Sequence, residues 1–305
     1  MRPLTPTRLK ELRPRIAAIA DQLVERLCSI GGFDAATDLA EHLPLTVVSE
    51  LVGLPDDGKA DMLSWAKASF NANSPTGCPL SAEALPRMKE AMAYMSAPEL
   101  PQRLRSGGWA AELYESCQRG EISEARFRQL LPAYVFPSLD TTILATSSLV
   151  WLFANYPEQW TKLREKPALI ARAISEGLRL EGPIRQLTRV TTHETEVAGV
   201  RIPRDVRVHL MIGAANRDER RYANPDQFDI ERDNADHLGF GHDRHICAGM
   251  NLARMEMTCL IEALLKRVKR FEVVREERAY SVLRGFASRC TELTGQAARG
   301  CTLPH

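Results

Sequence analysis

The chain has 305 residues, of which 44% are hydrophobic, and its 40 Lys and Arg residues nearly balance its 39 Asp and Glu residues. This length suffices for one large domain, and the near-zero net charge gives no indication that nucleic acid or an acidic membrane is a partner. The seven cysteines show no pairing pattern, the first residues lack a signal-peptide pattern and the most apolar stretch, 143–154, is too short for a membrane span, so we expect a cytoplasmic protein.

Helical periodicity dominates the first half of the chain. Thr5 and Pro6 provide a helix start, and apolar residues then recur every three or four positions until Gly31 and Gly32. Pro14 lies within this run and is predicted to divide it into a short and a longer helix. Further helices are predicted at residues 45–51, 57–71, 83–96 and 109–119.

A longer helical pattern runs from Ser123 to Asn155. Pro132 and Pro137 interrupt it, and we expect a bend at Pro137, because proline lacks the N–H group that the preceding helical turn requires. Two more helices are predicted after this segment, and the second ends near Leu180.

After these helices the composition shifts toward β-branched and alternating residues. Short strands are predicted at residues 188–192, 195–200 and 206–210. The last two would flank a turn at 203–205. A final helix from 247 to about 267 precedes a hairpin, whose strands are predicted at 271–274 and near 280–283. We expect one domain over residues 1–305, mainly α with small β-sheets.

The segment 240–249 carries the most chemical information in the chain. It places Cys247 in a glycine-containing turn directly before the last predicted helix, with His242, Arg244 and His245 close by. Backbone N–H groups at a helix start favour a thiolate, which serves as a nucleophile or a metal ligand. Two alternatives stay open: a buried free cysteine, or a small zinc site that joins Cys247 to the two histidines and needs a fourth ligand.

The same segment resembles the haem-ligand loop of the cytochrome P450 family. Phe240, His245, Cys247 and Gly249 fit the family pattern, whereas Asp243 stands where glycine is usual. The resemblance implies a P450 fold with haem b, Cys247 as the ligand of the iron, and Phe240, His245 and Gly249 as cofactor-binding residues. It also implies a monooxygenase that inserts one oxygen atom of O2 into a small organic substrate. Since the chain has no Gly-rich nucleotide motif, a ferredoxin or flavodoxin would supply the electrons.

Glu176 and Arg179 are three residues apart on the predicted helix that ends near Leu180, where they share one face. An exposed helix ion pair, which contributes little, is the simplest interpretation of this spacing. The P450 resemblance gives the pair a structural role, because the family carries Glu-x-x-Arg upstream of its cysteine. The family adds an arginine in a Pro-x-Arg-Phe stretch. Residues 225–228 match that stretch with Gln227 in place of the arginine, so we expect the network to lack one positive charge.

Residues 136–142 resemble the family's Ala-Gly-x-Asp/Glu-Thr-Thr stretch, which crosses above the haem. Pro137 and Ser138 replace the usual alanine and glycine. The resemblance implies that Asp140 and Thr141 are catalytic and relay protons during oxygen activation. Alternatively, the threonine hydroxyl only bonds back to its own helix, as mid-helix threonines often do.

Other site residues follow from the resemblance alone. Arg189 and His245 match residues that bind the haem propionates in the family. Apolar contacts to the substrate are expected from three positions where the family lines its pocket, Ile184, Leu187 and Phe286.

The resemblance begins near Thr7 and lacks the family's earlier stretch, about a quarter of its usual length. In the family this stretch supplies sheet strands, a loop over the substrate and a His-x-x-x-Arg pair on the propionates. We therefore expect an N-terminally truncated P450 fold with open sheet edges and bared apolar faces. The alternatives to an active enzyme are a catalytically inactive remnant with weak or no haem binding, and a non-haem helical binding protein.

Overall fold

The computed structural model describes residues 6–74, 77–233, 236–280 and 284–293. Most of this part is helical, as expected. Its α-helices are α1 Pro6–Ile30, α2 Ser49–Val52, α3 Asp56–Asn71, α4 Pro79–Ser96, α5 Leu100–Arg103, α6 Trp109–Gln118, α7 Glu124–Val135, α8 Asp140–Asn155, α9 Pro157–Glu165, α10 Ile170–Glu181, α11 Ile212–Ala215 and α12 Met250–Arg267. Two π-helical segments, Ala35–Ala40 and Pro44–Val48, connect α1 to α2.

The described strands form three small antiparallel sheets. They are β1 Gly32–Asp34, β2 Leu187–Val190, β3 Thr195–Val197, β4 Val200–Ile202, β5 Arg207–Leu210, β6 Phe271–Tyr280 and β7 Arg284–Leu293. One sheet has the order β1-β7-β6, and the other two are the pairs β2–β5 and β3–β4. The prediction of a mainly α chain with small sheets is confirmed.

One hydrophobic core joins the long helices. α1 packs along α12, and its buried stripe includes Ile16 and Leu27, as the three- and four-residue spacing predicts. α8 contacts both α10 and the β6–β7 hairpin and is buried along most of its length. Phe153 on this helix packs edge-on against Trp160 of α9 at a centroid distance of 4.9 Å. The two ends of the described chain therefore belong to the same core.

The expected division of the first helix at Pro14 is wrong, because α1 continues through it. Pro14 and Lys10 both lie on the exposed face of the helix. The Lys10 carbonyl that loses its helical partner can therefore bond to water, and the buried stripe against α12 holds both halves of the helix in line.

The bend expected at Pro137 is confirmed as a complete break between α7 and α8, at residues 136–139. The Ser138 hydroxyl donates to the carbonyl of Val135 at 2.9 Å and so satisfies one helix-terminal acceptor. By length and composition the combined stretch Glu124–Asn155 could cross a membrane, but 72% of its most apolar window is buried within the protein. Burial of this kind is typical of a core helix.

Two strand predictions needed correction. Residues 195–200 contribute to two strands joined at Ala198 and Gly199. Strands β4 and β5 flank the 203–205 turn as predicted, and they pair with β3 and β2 respectively. The return strand of the last hairpin lies at 284–293, beyond the predicted 280–283. The last helix begins at Met250, because Cys247 belongs to the turn that leads into it.

Candidate active site

A cavity of about 460 Å³ lies between the α7–α8 break and the segment 240–249, here called the cysteine loop. Its walls are mostly apolar, with Phe70 and Tyr134 on one side and Leu252 of α12 on another. A largely apolar cavity of this size is typical of a site for a cofactor or small organic ligand.

The cysteine loop is shaped by two residues in the left-handed region. Gly241 has φ +77°, and a Cβ atom there would lie 2.5 Å from the carbonyl oxygen of His245. Asp243 has φ +50°, at the position where the family usually has glycine. Aspartate tolerates this region better than most side chains do. The Cys247 N–H group closes the loop by donating to the carbonyl of Phe240 at 2.7 Å.

The thiol of Cys247 faces the cavity, and backbone N–H groups of Gly249 and Met250 donate to its sulfur. The side chain is exposed because the cavity is open, yet the surrounding protein buries the sulfur enough to raise the pKa of the thiol. The N–H groups lower that pKa, but burial outweighs them. The N–H groups at the helix start thus favour the thiolate as expected, but because burial opposes them more strongly, a metal ion would have to displace the proton.

The zinc alternative finds no support. Within the described ranges, no group of three His, Cys, Asp or Glu side chains is arranged to hold a metal ion. Cys247 is a free cysteine in an open cavity, so the interpretation as an inert buried thiol is not supported either.

The structure brings most of the predicted site residues to one cavity, namely Thr141, Ile184, Leu187, Phe240, His245, Cys247 and Gly249. Asp140 and Arg189 are not among its lining residues, and the Arg189 guanidinium donates to the carbonyl of Thr188 at 2.9 Å. Phe286 lies in β7, and its side chain is outside the described residues. The roles of these three residues stay predictions.

Asp140 and Thr141 begin α8 beside the cavity. Asp140 is 8% exposed, and burial raises the pKa of its carboxyl to about 6, with nearby Lys67 opposing and Glu41 reinforcing the shift. The Thr141 hydroxyl donates to the carbonyl of Pro137 at 2.9 Å, as the alternative interpretation expected, but the side chain also lines the cavity. A carboxyl that titrates near neutral pH therefore stands next to a hydroxyl on the cavity wall.

Glu176 and Arg179 are both fully buried, so the exposed ion pair is excluded. The guanidinium Nε and Nη2 donate to the two carboxylate oxygens at 2.8 Å each. A second arginine completes the cluster: Arg232 Nε donates to Glu176 Oε1 at 3.1 Å. The prediction that Gln227 leaves this network one charge short is wrong. Gln227 contributes its backbone carbonyl, which accepts from Arg179, while its side chain is exposed.

Glu256 was not predicted as a site residue. It lies on α12, lines the cavity and is 2% exposed, and neither carboxyl oxygen has a hydrogen-bond partner in the described part of the chain. Burial raises the pKa of this carboxyl to about 8. A signal was present in the sequence, because Leu252, Glu256 and Leu260 are four residues apart and share one helix face.

Comparisons with known proteins agree with this geometry. The family model described as Cytochrome P450 matches residues 112–282. Cytochrome p450 CYP199A2 of Rhodopseudomonas palustris is 34% identical over 95% of this chain and 71% of its own length. The chain belongs to the cytochrome P450 family. Linalool 8-monooxygenase of Pseudomonas putida is a further P450 relative, 29% identical over 91% of this chain and 69% of its own length.

Solved P450 structures share the fold. The chain matches P450BioI, determined with a fatty-acid-ligated acyl carrier protein, with a TM-score of 0.85, 27% identity and coverage of 95% of this chain and 76% of that one. The chain is thus shorter than the P450s it matches. Like them it is a P450 monooxygenase, and the enzymes of this family contain haem, bind small substrates and take electrons from redox partners.

The residues present fit a haem. One thiol stands at the wall of a largely apolar cavity, and its loop is closed by a backbone hydrogen bond. Cys247 would hold the iron, Phe240 and Gly249 would pack near the thiol, and His245 lies at the same cavity with a side chain that can donate a hydrogen bond.

Proposed function

We propose that this chain binds haem b through Cys247 and inserts one oxygen atom of O2 into a small organic substrate. The observation that carries the proposal is the position of the Cys247 thiol, which opens into the largely apolar cavity from a loop closed by backbone hydrogen bonds. The haem supplies the oxygen activation when it is bound. The protein's contribution is to hold the sulfur, orient the substrate and deliver protons.

Proton delivery is assigned to Asp140 and Thr141. The Asp140 carboxyl exchanges protons readily near neutral pH, because burial brings its pKa to about 6. Lys67 lies near it and pairs with Glu41 at 3.2 Å, and half of the lysine side chain is exposed. This arrangement supports a route from solvent to Asp140 and on to the Thr141 hydroxyl, which would have to exchange its bond to Pro137 for one to a ligand.

The substrate would contact the apolar wall. Ile184, between α10 and β2, and Leu187, the first residue of β2, line the cavity, which supports their assignment as substrate contacts. Phe286 is proposed as a third contact on the basis of the resemblance. Because the walls offer few polar groups, an apolar or weakly polar organic molecule fits best.

A ferredoxin or flavodoxin is the proposed electron donor, and it would dock at the outer side of the cysteine loop. His242 and Arg244 are exposed there, next to Ile246, whose side chain is 54% exposed. An apolar residue among basic ones suits an acidic electron carrier. Such carriers are cytoplasmic, so we also propose a cytoplasmic location.

A catalytically inactive remnant with weak or no haem binding is the second candidate. It is favoured by apolar side chains exposed on the β2–β5 sheet, where Val190 is 56% and Met211, next to β5, is 55% exposed. Bared apolar surface of this kind promotes aggregation and loss of a bound cofactor.

The deciding experiment is a carbon-monoxide difference spectrum of the reduced, haem-reconstituted chain. A strongly red-shifted Soret band would support a thiolate ligand, and Cys247→Ser should abolish it. Cys117→Ser, which changes a half-buried free cysteine away from the cavity, should leave the band unchanged. The absence of any haem band after reconstitution would favour the remnant, and X-ray absorption without an Fe–S bond would refute Cys247 as the ligand.

A further inference from the structure

The turn that leads into the cysteine loop is held by two buried polar side chains. His237 is 6% exposed, precedes the 3₁₀ turn Leu238–Phe240, and accepts a hydrogen bond at Nδ1 from the N–H group of Gly239 at 3.0 Å. Asn216, 2% exposed, accepts at Oδ1 from the N–H group of Leu238 at 2.8 Å. Both N–H groups would otherwise lack an acceptor at the start of the turn.

These bonds connect the buried ion cluster to the cysteine. Arg179 Nη1 donates to the backbone carbonyl of Asn216 at 2.7 Å, and Asn216 in turn holds Leu238. At the other end of the turn, the N–H group of Cys247 donates to the carbonyl of Phe240 at 2.7 Å. A shift of the turn would therefore move the backbone that carries the thiol.

We propose that Asn216 and neutral His237 are positioning residues for the cysteine loop, and that protonation of His237 releases the turn that leads into it. The imidazole accepts from Gly239 only while Nδ1 carries no proton, because an imidazolium donates at both nitrogens. In the protonated state the Gly239 N–H group would face another donor. Asn216 has no titratable group, so its bond to Leu238 persists at every pH.

The surroundings of His237 favour the neutral ring. Burial and the charge of Arg254, whose guanidinium lies 5.2 Å from the centre of the Phe240 ring, lower the pKa of His237 to about 4. Asp236 and Glu176 oppose the shift and Arg179 adds to it. The turn is also closely packed, since a Cβ atom at Gly239 would lie 2.9 Å from His237 Nδ1 and 3.1 Å from a carbonyl of α10.

The sign of the pH effect follows from the lowered pKa. Below about pH 6.5 the unfolded chain takes up the proton and the folded chain does not, so this group's contribution to stability is complete above pH 6.5 and is lost as the pH falls toward 4. Between pH 7 and pH 5 the ratio of folded to unfolded protein should fall on the order of twenty-fold through this one residue.

The test compares His237→Asn with the unaltered chain. The asparagine Oδ1 can occupy the place of Nδ1 and accept from Gly239 but cannot be protonated. Chemical unfolding of the haem-free chain is followed from pH 7 to pH 5, with His193→Asn, an exposed histidine, as the matched control. We expect His237→Asn to lose the roughly twenty-fold drop and His193→Asn to keep it. Equal pH dependence in all three proteins would overturn the proposal.

Two further variants separate the hydrogen bond from the charge. His237→Leu and Asn216→Ala should both lower the unfolding midpoint at pH 7, and only Asn216→Ala should retain the native pH dependence. An unchanged midpoint in both would refute their positioning role. In the reconstituted chain, His237→Leu should also shift the carbon-monoxide Soret band from the thiolate to the thiol position. Only this last readout rests on the proposed haem function, so failure of reconstitution leaves the haem-free result valid.

Discussion

Two groups of buried ionisable side chains support the cysteine loop and its cavity, and they differ in their pairing. Behind the loop, Glu176 is enclosed by Arg179 and Arg232 and makes hydrogen bonds with both. At the cavity, Glu256 has no hydrogen-bond partner in the described chain, and nearby Asp140 is buried, with the charge of Lys67 opposing the rise in its pKa. Complete pairing suits a scaffold that must not titrate, whereas unpaired carboxyls with raised pKa values exchange protons near neutral pH. The paired cluster therefore supports the site structurally, whereas the unpaired carboxyls are suited to its proton chemistry.

Breaking the paired group should give the largest effect. Arg179→Met leaves the Glu176 carboxylate buried beside Arg232, and removes the donors to Asn216 and Gln227. We expect a loss of about 3–5 kcal/mol in the free energy of unfolding, measured by urea denaturation. Arg220→Met, at an exposed ion pair, is the matched control and should have a much smaller effect. Equal losses would contradict the comparison.

The next test asks whether Arg232, and not Gln227, supplies the second side-chain partner of Glu176. Arg232→Gln removes a guanidinium that also donates to the carbonyls of Ala223 and Asn224, so we expect a loss of about 2–3 kcal/mol. Gln227→Ala changes an exposed side chain and should stay within about 0.5 kcal/mol. Urea denaturation of both variants shows which of the two side chains stabilises the cluster. A large loss of stability in Gln227→Ala would mean that the Gln227 side chain, and not Arg232, is the third member of the Glu176–Arg179 network.

Replacing the unpaired carboxyl of Glu256 should raise stability, whereas replacing a member of the paired cluster should lower it. The folded-state pKa of Glu256 is raised to about 8, so its contribution to stability is complete below about pH 4.5 and is lost as the pH rises through 8. Glu256→Gln removes this loss, and we expect a gain of a few kcal/mol at pH 8 and almost none at pH 4.5. Unfolding curves across this range are the measurement. The matched control is Glu262→Gln. Glu262 lies on the same helix as Glu256 but pairs with Arg13 at the solvent-accessible surface, so this variant should show no such gain.

The smallest effect concerns the loop backbone. Asp243 adopts φ +50°, which glycine adopts without strain, so Asp243→Gly should stabilise the chain by about 0.5–1 kcal/mol. Asp205→Gly, at φ +61° in a surface turn, should gain a similar amount. Retention of reconstituted haem, measured by dilution, should change only in Asp243→Gly. A loss of stability in this variant would mean that the aspartate side chain supports the loop.

Local sequence patterns predicted where the helices lie better than they predicted whether a proline interrupts them. The spacing of apolar residues gave α1, α3 and α6 almost to the residue, because helices with one buried face repeat every three or four positions. It did not show that Pro14 is tolerated, since that depends on which face of α1 packs against α12. Thus the periodicity of a helix is visible in the sequence, while its tolerance of a proline depends on the neighbouring elements.

The candidate site likewise has features that the sequence predicts and features that only the tertiary structure shows. The segment from Phe240 to Gly249 determined by itself that a thiol lies in a tight glycine-containing turn before a helix, because turn geometry and ligand spacing are local properties. Only the tertiary structure decided that Arg232 and not Gln227 joins Glu176, fifty-six residues away, and that burial raises the pKa of Cys247. Pairing and burial depend on contacts between distant segments, which residue spacing along the chain does not encode.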